Sequence, residues 1–265
     1  MKSIAVVSYN YQQYSETFIS HLVKNLPFKV HYLYGGELPA FYGDYRPFLP
    51  EMGWGKWCVE TKALVGKKIQ EQHKEAVEQY LLKNNIQAVH ANYSFTALPL
   101  MDICERNKIP LIVHFRGWTA YRQTILDKYG AQYPKLFSIA AAVICVSADM
   151  KQQLIRLGCP ENKITIIASG ADTAYFHYQN HSANPPVFLS VGRFCDTKNP
   201  HLTILAFSKV LQEIPDAKLV MAGGDETLLS ACFTLCKALK IELAVSFKGV
   251  LTHEQVAEEM KSACL

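Results

Sequence analysis

No stretch of this chain approaches the ~18 consecutive apolar residues of a membrane span. The first apolar run, Ile4-Ala5-Val6-Val7, is far too short for a signal-peptide core. The expectation is therefore a cytoplasmic protein, touching at most the inner face of a membrane. Dense basic tracts are also missing: 27 Lys and Arg are scattered among 23 Asp and Glu, for a net charge of +4, which argues against a nucleic-acid partner. There is no Gly-x-Ser-x-Gly elbow, no Walker A loop and no His-Glu-x-x-His, which argues against serine esterases, P-loop nucleotidases and zincins. The eight cysteines sit mostly in apolar runs, as reduced thiols do, and Cys232 and Cys236, at i, i+4, lack the second Cys or His pair of a zinc site. His177 and His181 share that spacing but fall where a linker is expected. No metal site follows from either pair.

The chain does have the 49% hydrophobic and 19% charged residues of a folded protein, and its 265 residues suggest two domains or one large α/β unit. Short β-branched runs alternate with helix-period segments, the pattern of a parallel sheet covered by helices. Strands are expected at 4–8, 29–34, 88–91, 111–115, 142–146 and 164–167. Phe18, Ile19, Leu22, Val23 and Leu26 form the apolar face of a first helix with Ser15 as its N-cap. A helix at 66–83 carries Ile69, Ala76, Val77, Tyr80 and Leu81 on its buried stripe. The polar stretch 178–186, with its Pro-Pro pair, reads as a linker between an N-terminal domain at 1–177 and a second α/β series at 187–265. That series has strands at 187–191, 218–221 and 244–247 and helices at 200–211, 227–239 and 253–262. The last helix opens with Thr252 and Gln255 at capping-box spacing. Three strand-helix units make half of a doubly wound sheet, so the second domain is expected to be incomplete. Residues 38–57, rich in aromatics, Pro and Gly, fit neither period and are expected to form a loop, which either contacts an acceptor or membrane surface or simply packs on its domain.

The sharpest constellation is Ser190-Val191-Gly192-Arg193-Phe194-Cys195-Asp196-Thr197-Lys198-Asn199-Pro200, at the C-terminal end of an expected strand, where α/β sheets bind ligands. Asn199 suits an N-cap and Pro200 the first helical position. Arg193 offers a planar fork and Lys198 a compact charge, so with the helix N-terminus they suit a diphosphate; the competing reading is two cations on a solvated turn.

Gly192-Arg193 with Lys198 five residues beyond the Arg, followed by PHLTILAFSKVLQEIPDAKLVMAGG, closely resembles the start of the C-terminal domain of family 4 retaining glycosyltransferases. Ile144-Cys145-Val146-Ser147, Gly158-Cys159-Pro160-Glu161-Asn162-Lys163-Ile164 and Ser169-Gly170-Ala171-Asp172 with Phe176 are similar to the end of that family's N-terminal domain. Ser15-Glu16-Thr17-Phe18-Ile19 and Val89-His90-Ala91-Asn92-Tyr93 resemble the branch that builds exopolysaccharides such as colanic acid.

The resemblance implies an α/β, GT-B-like architecture of two Rossmann-like domains facing a cleft. It also implies transfer of a sugar, with retention, from a nucleotide-sugar to a carbohydrate or lipid-linked acceptor. Gly192, Arg193 and Lys198 would hold the donor diphosphate without a metal or other cofactor, in keeping with the lack of any Asp-x-Asp. The family's Thr-x-His-Gly-like turn, aligned through Gly117, has His114 at the Thr position and Arg116 at the His position. His114 and Arg116 are thus the catalytic candidates, against a core histidine and a surface ion pair. Ser15, Glu16, Gly117, Gly170 and Asp172 are cleft candidates. The family's paired sugar- and ribose-gripping glutamates have no counterpart here, since the adjacent Glu258 and Glu259 face different directions and read as solvated. Weakened turnover, a glycan- or partner-binding protein without turnover, and a GT-B phosphorylase or epimerase-like enzyme remain the alternatives.

Overall fold

The computed structural model describes residues 1–11, 13, 16–49, 62–173, 175–177, 184–224 and 226–264. It divides into two compact units, Met1–Gly170 and Ala171–Leu265. The division falls upstream of the linker expected at 178–186, of which 178–183 lie outside the described residues. Asp172, Tyr175 and Phe176 go with the second unit: Asp172 O accepts from the Tyr175 and Phe176 amides, and both rings lie about 6 Å from His253.

Along the first unit run β1 (Ser3–Val7), α1 (Thr17–Asn25), β2 (Lys29–Tyr34), β3 (Phe41–Tyr42), β4 (Arg46–Pro47), α2 (Lys62–Lys83) and β5 (Ile86–Asn92). These are followed by α3 (Ser94–Ala97), α4 (Met101–Arg106), β6 (Leu111–His114), α5 (Gln123–Tyr129), α6 (Tyr133–Ile139), β7 (Ala142–Cys145), α7 (Ala148–Arg156) and β8 (Ile164–Ile166). The strands form one sheet of order β4-β3-β2-β1-β5-β6-β7-β8, parallel from β2 to β8. Ala5, Val7, Val89, Ala91, Leu111, Val113, Val143 and Cys145 supply its buried centre. Such near-continuous apolar strands are what a sheet covered on both faces needs. Of the stripe expected on α2, Val77 and Leu81 are fully buried and Ile69, Ala76 and Tyr80 half-buried.

Two local expectations are corrected. The N-cap of α1 is Glu16, with no side-chain capping bond, and Ser15 lies outside the described residues. Residues 41–47 are not a loop but the antiparallel hairpin β3–β4 added to the edge of β2. Two-residue strands are too short to leave a period in sequence. Tyr34 pins the hairpin, its hydroxyl donating to Gly43 O (3.1 Å) and accepting from Tyr45 N (2.8 Å). Tyr42 packs tilted and Phe48 edge-on against Tyr80 of α2. Residues 50–57 lie outside the described residues.

The second unit has β9 (Val187–Val191), α8 (Pro200–Glu213), β10 (Lys218–Ala222), α9 (Leu229–Ala238), β11 (Val245–Phe247) and α10 (His253–Ser262), with a parallel sheet of order β11-β10-β9. Its core joins Phe194, Ile204, Phe207, Leu219 and Met221 to Cys232 and Cys236, which pack as helix core. After α10 the chain crosses to the far edge of β9, where Cys264 N donates to Val187 O (2.8 Å). In the first unit the strand order reverses between β1 and β5, while in the second β9 is an edge strand. Such switch points, at the carboxyl ends of the strands, are where doubly wound sheets bind ligands.

Candidate functional site

In the first unit, the residues that end β1, β5 and β6 interlock. Asn92 is fully buried; its Nδ2 donates to Val7 O (3.2 Å), tying β5 to β1, and its Oδ1 accepts from Arg116 Nε (3.3 Å). Arg116 Nη2 donates to His114 Nδ1 (3.2 Å), Nη1 reaches Ser169 Oγ (3.5 Å), and the guanidinium lies 4.1 Å from the centre of the Phe18 ring. Guanidinium is only a donor, so His114 Nδ1 is an acceptor and its proton sits on Nε2. That Nε2 and the Nε2 of His90 are buried without a partner, and the two rings stack at 5.6 Å. Burial first, then the nearby Arg116 charge, pushes His90 down to about 4 and His114, which also feels His90, to about 3. Both imidazoles are neutral at pH 7. Burial lowers Arg116 itself to about 10, opposed by Tyr93 and Glu16, and it stays charged.

Beside this network, the Glu16 carboxylate accepts from the Tyr93 hydroxyl (2.7 Å) and Asn10 Nδ2 (3.3 Å). Tyr93 has φ 74° and ψ 146°, a conformation costly for any residue with a Cβ and characteristic of functional sites. Gly117 (φ 37°) then opens the turn that presents Trp118.

In the second unit, the loop after β9 is pinned from below. Gly192 N donates to Ala222 O (2.8 Å), Phe194 N to Gly224 O (3.0 Å), and Phe194 O accepts from Leu228 N (3.0 Å). A Cβ on Gly223 would stand 1.8 Å from Gly192 O, so the backbone crossing that presents Arg193 exists only with glycine beneath it. Phe194 is buried as the anchor, while Arg193 and Lys198 are exposed. The Lys198 stem lies against Gly192, within ordinary contact of where its Cβ would be. The expected N-cap bond of Asn199 is not made. Its backbone is left-handed (φ 47°, ψ 50°), whereas side-chain capping needs the β region.

The structure thus brings His114, Arg116 and the segment of Glu16 together at the β1/β5 switch point, and Gly192, Arg193 and Lys198 together at the end of β9. Arg116 is not a surface ion pair: it is 9% exposed, and among the described residues no carboxylate lies within 4 Å of it. Gly170 is exposed with nothing within 4 Å of its would-be Cβ, so no close approach requires it. Asp172 serves a turn through its carbonyl and falls in the second unit. Glu258 and Glu259 are not simply solvated, for they pair with Lys261 and Lys248, both at 2.7 Å. Sequence reading assigned no role to Asn92, His90 or Gly223. The signals were there in the family-like run Val89 to Tyr93, which holds His90 and Asn92, and in the Gly-Gly pair directly after a buried strand.

Among the described residues, no three His, Cys, Asp or Glu side chains group as metal ligands, and no helix is long and apolar enough to cross a membrane. Residues 67–175 match the Glycosyltransferase Family 4 model and residues 172–265 the Glycosyl transferases group 1 model. YtcC of Bacillus subtilis (strain 168) is 26% identical over 171 residues, covering 58% of this chain and 41% of YtcC. The amylovoran biosynthesis glycosyltransferase AmsK of Erwinia amylovora is 30% identical over 94 residues, 35% of this chain and 23% of AmsK. The matches thus span well under half the length of these curated relatives. Among solved structures, Anabaena HepE in complex with UDP and glucose superposes with a TM-score of 0.70 at 14% identity, over 99% of this chain and 72% of HepE. Both matched models describe glycosyltransferases, one mainly in each unit, and the fold is that of the HepE structure.

Proposed function

We propose that this chain moves a sugar from a nucleotide diphosphate to a carbohydrate or lipid-linked acceptor, with retained anomeric configuration, in polysaccharide assembly. The observation that carries the reading is the glycine-floored loop of Gly192, Arg193 and Lys198 at the carboxyl end of β9. As the bond from the sugar to the diphosphate breaks, negative charge grows on the phosphate oxygens and the sugar becomes oxocarbenium-like. Arg193 and Lys198 on a pinned backbone meet that charge without reorganising, and without a divalent ion. In the same reading His114 presents its Nε2–H as a donor to a ligand hydroxyl. The UDP bound by HepE makes UDP-sugars the first donors to test.

Calorimetry with UDP, GDP and ADP tests the loop. Arg193→Ala and Lys198→Ala should each weaken the preferred nucleotide diphosphate, and each should cost ~3 to 4 kcal/mol in transition-state stabilisation, that is, several hundred-fold in turnover. Unchanged affinity in both variants removes the phosphate role. His114→Ala should lower turnover more than donor affinity.

A further inference from the structure

We propose that the first unit carries an oxyanion subsite centred on Arg116, built to recognise the acidic substituent, carboxylate or phosphate, of a saccharide ligand. The inference rests on the glycosyltransferase reading only in making that ligand a saccharide.

A guanidinium that is nine-tenths buried has lost most of its water, and an unpaired buried charge costs several kcal/mol. What surrounds Arg116 is neutral: an amide oxygen, a serine hydroxyl, an unprotonated imidazole nitrogen and a phenyl ring. Its three hydrogen bonds run from 3.2 to 3.5 Å, all longer than the usual ~2.9 Å. They use three of five N–H donors. Glu16 acts on Arg116 through space, but its carboxylate is taken up by Tyr93 and Asn10. Among the described residues, the fold therefore orients this cation at the carboxyl ends of the strands with no carboxylate bonded to it.

Three neighbours narrow the ligand. His114, which accepts from Arg116 through Nδ1, carries a second buried donor, its partnerless Nε2–H. Tyr93, adjacent to Asn92, is held in a strained backbone. Trp118, two residues beyond Arg116, and Tyr9 are 41% and 45% exposed, and both rings lie 5.5 Å from that of Phe95. An aromatic shelf next to a buried cation suits a ring with one apolar face and one acidic group better than a bare ion.

The test titrates the full chain with a disaccharide ending in glucuronate, one ending in glucose 6-phosphate, their neutral glucose twin, inorganic pyrophosphate and UDP. The expected result is about tenfold or greater preference for one acidic disaccharide over the neutral twin. The preference should weaken with salt, be abolished in Arg116→Gln and be partly kept in Arg116→Lys. Whichever acidic arm is preferred identifies the substituent. Because the wild-type comparison needs no variant, misfolding of Arg116→Gln leaves the test intact. Three results overturn the proposal: no preference, with non-binding of all disaccharides included; a preference that persists in folded Arg116→Gln; or pyrophosphate displacing the preferred acidic disaccharide as a bare-anion site would require, that is, with an affinity for the sugar's own site equal to the sugar's. UDP reports separately on the second unit, so failed UDP binding with an intact acid preference sinks the donor reading alone.

Discussion

Gly223 and the buried histidines show how much rests on single atoms. Adding one methyl at Gly223 drives it into the Gly192 carbonyl, which is backbone held by its own hydrogen bonds and unable to rotate away. Gly223→Ala should therefore destabilise the second unit by about 3 kcal/mol or more, as forced overpacking and backbone displacement do, and weaken nucleotide binding; denaturant titration with calorimetry reads both. For His90 and His114 the sign runs towards acid lability. Their folded-state values, about 4 and about 3, lie below the free imidazole's 6.5, so the unfolded chain takes up protons first as pH falls. The stability they confer is complete above pH 6.5 and drains away towards pH 3 to 4. Between pH 7.5 and 5 each should account for about 2 kcal/mol of lost stability. Urea unfolding of His90→Gln across that range should give a visibly flatter profile than wild type. An equally steep profile would show that His90 is not held neutral by the fold.

At the scale of elements, local rules and distant partners divide the work. Helix α10 begins where Thr252 and Gln255 predict, with Thr252 Oγ1 accepting from Gln255 N (3.3 Å) and Gln255 Oε1 from Thr252 N (2.9 Å). A capping box joins residues three apart and is legible in one dimension. Helix α6 ends differently. Its terminal carbonyls at Phe137 and Ser138, with that of Ala140, all accept from Lys163 Nζ at 2.8 to 2.9 Å, a cation arriving from beyond β7 and α7. No helical spacing announces such a partner. Lys163→Met should cost roughly 1 to 2 kcal/mol, since it strips a charge from a helix C-terminus while keeping the stem. Thermal unfolding beside Thr252→Ala, with a cost of ~1 kcal/mol, gives the comparison.

On the proposed reading the donor loop lies in one unit and the oxyanion subsite in the other, so the two classes of ligand should leave separate footprints. Amide exchange with UDP should slow around 190–200 and 222–224, where the donor loop crosses its glycine floor. Exchange with the preferred acidic disaccharide should instead slow around 92–97 and 114–119. Protection of the first unit's segment by UDP alone would shift Arg116 to the donor side.

Much of the fold was open to a reader of the sequence because its causes are periodic. Buried parallel strands such as Leu111–His114 and Val187–Val191 are apolar almost throughout, and α8 starts at a proline that cannot sit deeper in a helix. That Arg193 and Lys198 share one loop after such a strand was legible for the same reason. What the sequence could not disclose lies between segments distant along the chain. Arg116 was a catalytic candidate set against a surface ion pair, and its burial against Asn92, Ser169 and Phe18 appears only in the fold. Asn199, a good cap by residue type, is denied that role by its left-handed backbone. Periodicity records which face of an element is buried; the dielectric around a side chain, and so its charge and the anion it lacks, arises only where strands from across the chain converge.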